Sequence, residues 1–145
     1  MITGINHINI TVKNPELMLS FYHELLGFIV ILDIIREGEE LAKGVGVPGA
    51  RLRNIRLAVP GSDVQIEFIH YMNVTGKPLN PHPIQDYHIG HICFETDDIA
   101  ALFTWLTNAS VRVVSPPVTI HPGGIQFMYI YDPEGNIIEI AQHRK

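Results

Sequence analysis

One pattern occurs twice along these 145 residues and restricts the fold more than any other feature of the chain. The run Ile5-Asn6-His7-Ile8-Asn9-Ile10 returns as Ile89-Gly90-His91-Ile92-Cys93-Phe94, and Gln65-Ile66-Glu67-Phe68-Ile69 returns as Ile137-Ile138-Glu139-Ile140-Ala141. Each copy opens on a strand-like run holding a histidine and closes on one holding a glutamate, so His7 maps to His91 and Glu67 to Glu139. The interval is 60 residues in the first copy and 48 in the second. A self-similar chain is one supersecondary unit used twice. The longer interval of the first copy is absorbed in a glycine-rich loop, where insertions disturb packing least.

Period and punctuation outline the elements. Residues 5 to 12 alternate, with Ile8, Ile10 and Val12 on one face and His7, Asn9 and Thr11 on the other, as a half-buried strand does. Asn14 and Pro15 supply the cap and first position of a helix with the stripe Leu17, Met18, Phe21, Tyr22 and Leu25, and Gly27 ends it. Strands follow at 28–35, 52–59 and 64–71, the last two joined across Pro60-Gly61-Ser62-Asp63. Between 36 and 50, Gly38, Gly44, Gly46, Pro48 and Gly49 predict an exposed loop, a candidate lid. In the second copy a strand at 89–94 leads to a helix capped by Asp97 or Asp98, with the stripe Ile99, Leu102, Phe103 and Leu106. A strand at 111–114 and a pair at 125–131 and 136–141 around Asp132-Pro133-Glu134-Gly135 complete it. The fold class is therefore α+β, two βαβββ modules in tandem at 1–75 and 88–145, joined by a proline-rich linker at 76–87.

Charge and cysteine content narrow the function classes. The formal charge is −5, and the ten Lys and Arg residues are scattered except around Arg51, Arg53 and Arg56, which argues against nucleic acid as a partner. The one cysteine, Cys93, permits no internal disulfide. With no secretory signal and no apolar run of membrane-spanning length, a cytoplasmic location without membrane attachment is expected. Cys93, on the strand of His91, reads as a packing residue.

The four repeated residues carry the chemistry. An ionised Glu139 among Ile137, Ile138 and Ile140 costs several kcal/mol unless something cationic meets it. Two imidazoles and two carboxylates suit a divalent ion with nitrogen and oxygen ligands, and neutral His with ionised Glu brings such a site to zero net charge. Nickel, zinc, cobalt, manganese and iron all fit that donor set. Four protein ligands leave two places of an octahedron for adjacent substrate oxygens. Phe127 and Tyr129 alternate toward one face, with core packing the simpler reading. Edge strands rich in Ile and Val invite pairing with a second chain, so a homodimer is expected.

The duplicated βαβββ pattern, Ile5-Asn6-His7-Ile8, Phe21-Tyr22, Leu26-Gly27-Phe28, the restart Gly90-His91-Ile92 and Asp132-Pro133-Glu134-Gly135-Asn136 before Glu139 resemble the vicinal oxygen chelate superfamily, and within it the glyoxalase I type. The resemblance spans essentially the whole chain. It implies curved mixed sheets forming a cup with the helices outside, around one metal held by His7, Glu67, His91 and Glu139. It implies a lyase or isomerase resembling lactoylglutathione lyase, moving a proton beside a carbonyl through a metal-chelated enediolate. Glu139 is then the base and Glu67 the alternative on the opposite face. The substrate implied is a small molecule with vicinal oxygens, such as a thiol adduct. Other members of the superfamily keep further readings open. Extradiol dioxygenases use two His and one Glu on iron, epimerases carry Gln at the place of Glu67, and drug-binding resistance proteins use no metal.

Overall fold

The computed structural model describes residues 1–77, 83–87, 90–121 and 124–143. Parts of the expected linker, the opening of the strand expected at Ile89 and the middle of the turn at 121–124 lie outside them. The chain divides into two compact units, residues 1–78 and 79–145. Each holds one four-stranded mixed sheet.

In the first unit β1 (His7–Thr11), β2 (Ile29–Glu37), β3 (Arg51–Ala58) and β4 (Gln65–Tyr71) lie in the order β1-β4-β3-β2. β1 runs parallel to β4, and the other neighbours are antiparallel. In the second unit β5 (Ile92–Glu95), β6 (Val118–Ile120), β7 (Ile125–Tyr131) and β8 (Ile137–Gln142) take the order β5-β8-β7-β6, again with the first strand parallel to the last. The expected α+β class and the repeated module are both present. His7 precedes by two residues the position that pairs with Glu67, namely Asn9. His91 stands in the same relation to Cys93, the partner of Glu139. Because side chains alternate with period two, His7 shares a sheet face with Glu67, and His91, one residue before β5, likewise reaches Glu139.

The first helix departs from a uniform α-helix. Asn14 caps α1 (Pro15–Leu19) by accepting from the Leu17 N–H, and the chain then widens into a π-helical turn at Ser20–Leu25. Adjacent aromatics on an α-helix point about 100° apart. The wide turn accompanies burial of both Phe21 and Tyr22, and Tyr22 meets Phe28 and Phe68 edge-on or tilted at 5.8 and 5.2 Å between ring centres. Met18, Tyr22, Ile55, Leu57, Ile66 and Phe68 form the buried centre of this unit. In the second unit Ile99 and Leu106 of α3 (Ile99–Asn108) are buried, as are Met128, Ile130, Ile138 and Ile140 on the sheet. Asp98 is the cap, accepting from the Ala101 N–H.

Two expectations are corrected. The glycine-rich segment is not a loop throughout, because α2 (Glu39–Val45) occupies its middle. Gly46 has φ +70° and closes that helix, with its N–H on the Ala42 and Lys43 carbonyls, so a glycine read as loop composition is a helix cap. The strand expected at 111–114 is reduced to a single bridge, Val113 to Ile130, and the ladder resumes only at Val118–Ile120. Pro116 and Pro117 lie between. Proline has no N–H to give a ladder and is confined to edges and irregularities, which divides this edge strand in two.

Arg53 ties the first unit together on its helical side. Its guanidinium donates to both oxygens of Asp33 on β2, at 2.8 and 2.7 Å, and to Glu16 on α1. The hydrogen bonds from Arg53 hold the Asp33 carboxyl below the usual carboxylate range, and burial opposes them only in part. A depressed folded-state pKa stabilises the fold above the unfolded value of ~3.9, and that contribution is lost as pH falls through the folded value. Asp33 is 36% exposed, so solvent screening limits the effect to about 1 kcal/mol or less. Asp33→Asn is expected to lower stability at pH 7 by that amount, with the gap to the parent closing below pH ~4. Denaturant unfolding at several pH values checks this, and a gap independent of pH would remove the assignment.

Candidate metal centre

In the first unit the structure brings His7 and Glu67 together, with Nε2 of the imidazole 3.3 Å from Oε2 of the carboxylate. Glu67 is buried and densely held. Its Oε1 accepts from Asn54 Nδ2 at 2.8 Å and from Arg56 Nε at 3.0 Å, and Oε2 accepts a longer bond from Asn9 Nδ2 at 3.4 Å. Strand register explains the first two. Arg56 lies directly across the β3–β4 ladder from Glu67, and Asn54 is two residues along on the same face.

In the second unit His91 Nε2 is 2.8 Å from Glu139 Oε2. The surroundings differ. Tyr129 occupies the place across from Glu139 that Arg56 occupies across from Glu67, and its hydroxyl donates to Oε2 at 3.5 Å. Burial first, and then the charge of Glu139, push the Tyr129 phenol above its usual value, so it remains a donor at neutral pH. Tyr129 also meets the His91 ring edge-on at 5.2 Å and Phe127 at 5.8 Å. It therefore belongs to the site, where packing alone was the simpler sequence reading. Cys93 is exposed rather than fully packed, yet partial desolvation of its sulfur, followed by the charges of Glu139 and Glu95, raises its pKa and keeps it a thiol.

Whether these donors suit a cation can be tested on the protonation of His7. Its Nδ1 lies 2.9 Å from Asn6 Oδ1, and that same oxygen accepts from Arg56 Nη1 at 2.9 Å. A guanidinium only donates, so the Asn6 atom is its oxygen, and His7 Nδ1 must carry a proton to bond with it. In the neutral ring Nε2 then presents a lone pair toward a carboxylate oxygen 3.3 Å away. Two acceptors at that distance repel unless a proton or a metal ion lies between them. A histidine that donates from one nitrogen and offers the other beside a carboxylate is the usual form of a metal ligand, so the residues fit a divalent ion. Among the described residues, no three His, Cys, Asp or Glu side chains cluster closely enough to hold one. Each unit by itself supplies one nitrogen and one oxygen donor.

Asn6, Asn9, Asn54 and Arg56 were not singled out from the sequence. The signal for two of them was there, since Asn54 and Arg56 alternate with Ile55 and Leu57 on a strand forming a hairpin with that of Glu67. Arg53, in the same stretch, is engaged by Asp33 and Glu16.

Two four-stranded mixed sheets of like order, each with a His–Glu pair at the same register, define a duplicated α+β protein with paired N/O donor sites. The chain belongs to the Glyoxalase/Bleomycin resistance protein/Dioxygenase superfamily, whose model matches residues 4–140. That superfamily includes enzymes and non-enzymes, and its members generally bind a divalent metal, act on small molecules and often form dimers. An ethylmalonyl-CoA/methylmalonyl-CoA epimerase of Cereibacter sphaeroides is 28% identical over 98% of this chain and 99% of its own length. A lactoylglutathione lyase of Pseudomonas aeruginosa is 28% identical over 94% of this chain and 81% of its own. The fold matches that of a glyoxalase family protein from Bacillus cereus, with a TM-score of 0.89 at 19% identity over 100% and 97% of the two chains. Among the described residues no helix is long and apolar enough to cross a membrane.

Proposed function

We propose that the protein is a metal-dependent lyase or isomerase of the glyoxalase I type that moves a proton at a carbon beside a carbonyl, with His7, Glu67, His91 and Glu139 as ligands of one divalent ion. The ion is nickel, zinc, cobalt, manganese or iron. The observation that carries this reading is the repeated pair, an imidazole Nε2 facing a carboxylate Oε2 at 3.3 Å in one unit and 2.8 Å in the other. When bound, such an ion supplies a Lewis acid for the negative charge that develops on a carbonyl oxygen as the proton leaves.

The two carboxylates differ in freedom, and this supports Glu139 as the base. Both oxygens of Glu67 accept hydrogen bonds, two of them from Asn54 and Arg56 on the neighbouring strand. Among the described residues, hydrogen bonds reach Glu139 only at Oε2. A base must approach the carbon, take its proton and return it, so the less restrained carboxylate suits the role. Glu139 lifts the proton while the C–H electron pair moves toward the carbonyl, and then delivers the proton back to carbon. The Tyr129 hydroxyl, which donates to its Oε2, holds it in orientation between the two transfers. Glu67, on its own strand, is the second carboxylate that an epimerisation at one carbon would draw on.

The substrate class that follows is a small carbonyl compound with vicinal oxygens or a thioester, such as a thiol adduct of a 2-oxoaldehyde. Exposed Ile29, Ile31 and Ile35 on the edge strand β2 support a homodimer, and the absence of a membrane-spanning helix among the described residues is consistent with a cytoplasmic enzyme.

The test is proton exchange in deuterated water. Protein reconstituted with each divalent metal is incubated with the hemithioacetal of methylglyoxal and glutathione, and separately with a branched acyl-CoA. Metal-dependent deuterium incorporation at the carbon beside the carbonyl is the expected result. Ring cleavage of a catechol with iron and oxygen, without exchange on either carbonyl substrate, would replace this reading with a dioxygenase. Binding without turnover and without metal would make the protein a sequestering one.

A further inference from the structure

Resting on the metal reading above, we propose that Arg56 is the positioning residue of the first half of the site, one guanidinium fixing Glu67 directly and the tautomer of His7 through Asn6. Arg56 donates from Nε to Glu67 Oε1 at 3.0 Å and from Nη1 to Asn6 Oδ1 at 2.9 Å and Gln65 Oε1 at 3.2 Å. The guanidinium is planar and always charged, so these N–H groups point in directions set by a single rigid plane.

The consequence reaches His7 by a chain of forced choices. A donor from Arg56 turns the Asn6 amide oxygen inward, and that oxygen accepts the Nδ1 proton of His7 at 2.9 Å. The lone pair of the neutral ring is then left on Nε2, the nitrogen that faces Glu67. Without Arg56 the Asn6 amide is free to rotate its NH2 toward the ring. It would then donate to Nδ1 and shift the ring proton to Nε2, where it blocks ligation. The same guanidinium holds Glu67 Oε1, which leaves Oε2 directed at His7.

Among the described residues, the second copy lacks this device. Gly90 precedes His91 where Asn6 precedes His7, and Tyr129 stands across from Glu139 where Arg56 stands across from Glu67. The first pair is thus preset for a cation by side chains that the second pair does not have. This assigns to Arg56 and Asn6 a role in metal affinity without contact with the ion.

Calorimetric titration of the full chain with Ni²⁺ alone, and the Co²⁺ absorption spectrum, test the assignment. Arg56→Lys keeps the charge and loses the planar fork, and Asn6→Ala removes the acceptor from an exposed residue at little risk to folding. Each is expected to weaken Ni²⁺ binding by about 10–100-fold. Asn6→Asp keeps an acceptor for Nδ1–H and a partner for Arg56, and is expected to stay within a few-fold of the parent. Nitrogen NMR of the metal-free protein is expected to show His7 protonated at Nδ1 in the parent and in Asn6→Asp, and to lose that preference in Asn6→Ala. If Asn6→Ala and Arg56→Lys bind Ni²⁺ like the parent while His7→Ala does not, the ligand assignment stands and the relay is wrong. If His7→Ala also binds like the parent, the metal reading fails and the relay with it.

Discussion

Glu139→Gln is expected to lower turnover by roughly 10²-fold or more while a measurable share of metal binding survives, the loss typical of removing a general base. The substitution keeps the length and volume of the side chain. An amide oxygen still accepts from the Tyr129 hydroxyl, which donates to Glu139 Oε2 now. What disappears is the capacity to take a proton from carbon. Glu67→Gln is expected to cost less, because catalysis is assigned to the other carboxylate. The measurement is steady-state turnover together with deuterium wash-in on whichever carbonyl substrate exchanges. Near-normal exchange in Glu139→Gln would remove it as the base and bring the dioxygenase reading forward.

Loss of the imidazoles is expected to have the second large effect. Each of His7→Ala and His91→Ala removes a neutral nitrogen donor, and each is expected to weaken divalent metal binding by more than the ~10–100-fold that an outer partner is worth. The double variant is expected to retain no stoichiometric metal after gel filtration without chelator. Thermal unfolding gives an independent reading. An ion that binds only the folded chain stabilises it by about 2.7 kcal/mol at a free concentration one hundred times Kd. That rise in midpoint is expected for the parent and absent in the double variant. Metal held one-to-one by the double variant would end the assignment of all four ligands. His7→Ala leaves Asn6 Oδ1 with Arg56 and Glu67 with Arg56, Asn54 and Asn9 as partners, so its metal-free form is expected to remain folded.

The local code of this chain carried the duplication, the helix capped by Asn14 and started by Pro15, the helix of Asp98, and the strands that hold His7, Glu67 and Glu139, while His91 lies one residue before β5 rather than inside a strand. Alternation, caps and turn residues are short-range signals, and a repeat is visible in one dimension. Local signals also misled where composition was ambiguous. Glycines at 38, 44, 46 and 49 suggested a loop, yet Gly46 ends a helix in a left-handed conformation that a loop glycine and a cap glycine share. The edge strand near Val113 looked continuous with its own β-branched run, and the two prolines beyond it decided where the ladder could resume.

Tertiary structure alone decided who stands beside whom. That Arg56 faces Glu67 and Tyr129 faces Glu139 follows from hairpin registers, which depend on the lengths of turns and the start of each ladder. That Asn6 presents an oxygen to His7 depends on an arginine 50 residues away. The two carboxylates occupy matched places in a repeated sequence, and residue type at those places cannot distinguish them. Their different freedom comes from the neighbouring strand, Asn54 and Arg56 in one sheet and Phe127 and Tyr129 in the other, because hydrogen bonds across a ladder join residues that the chain itself keeps apart.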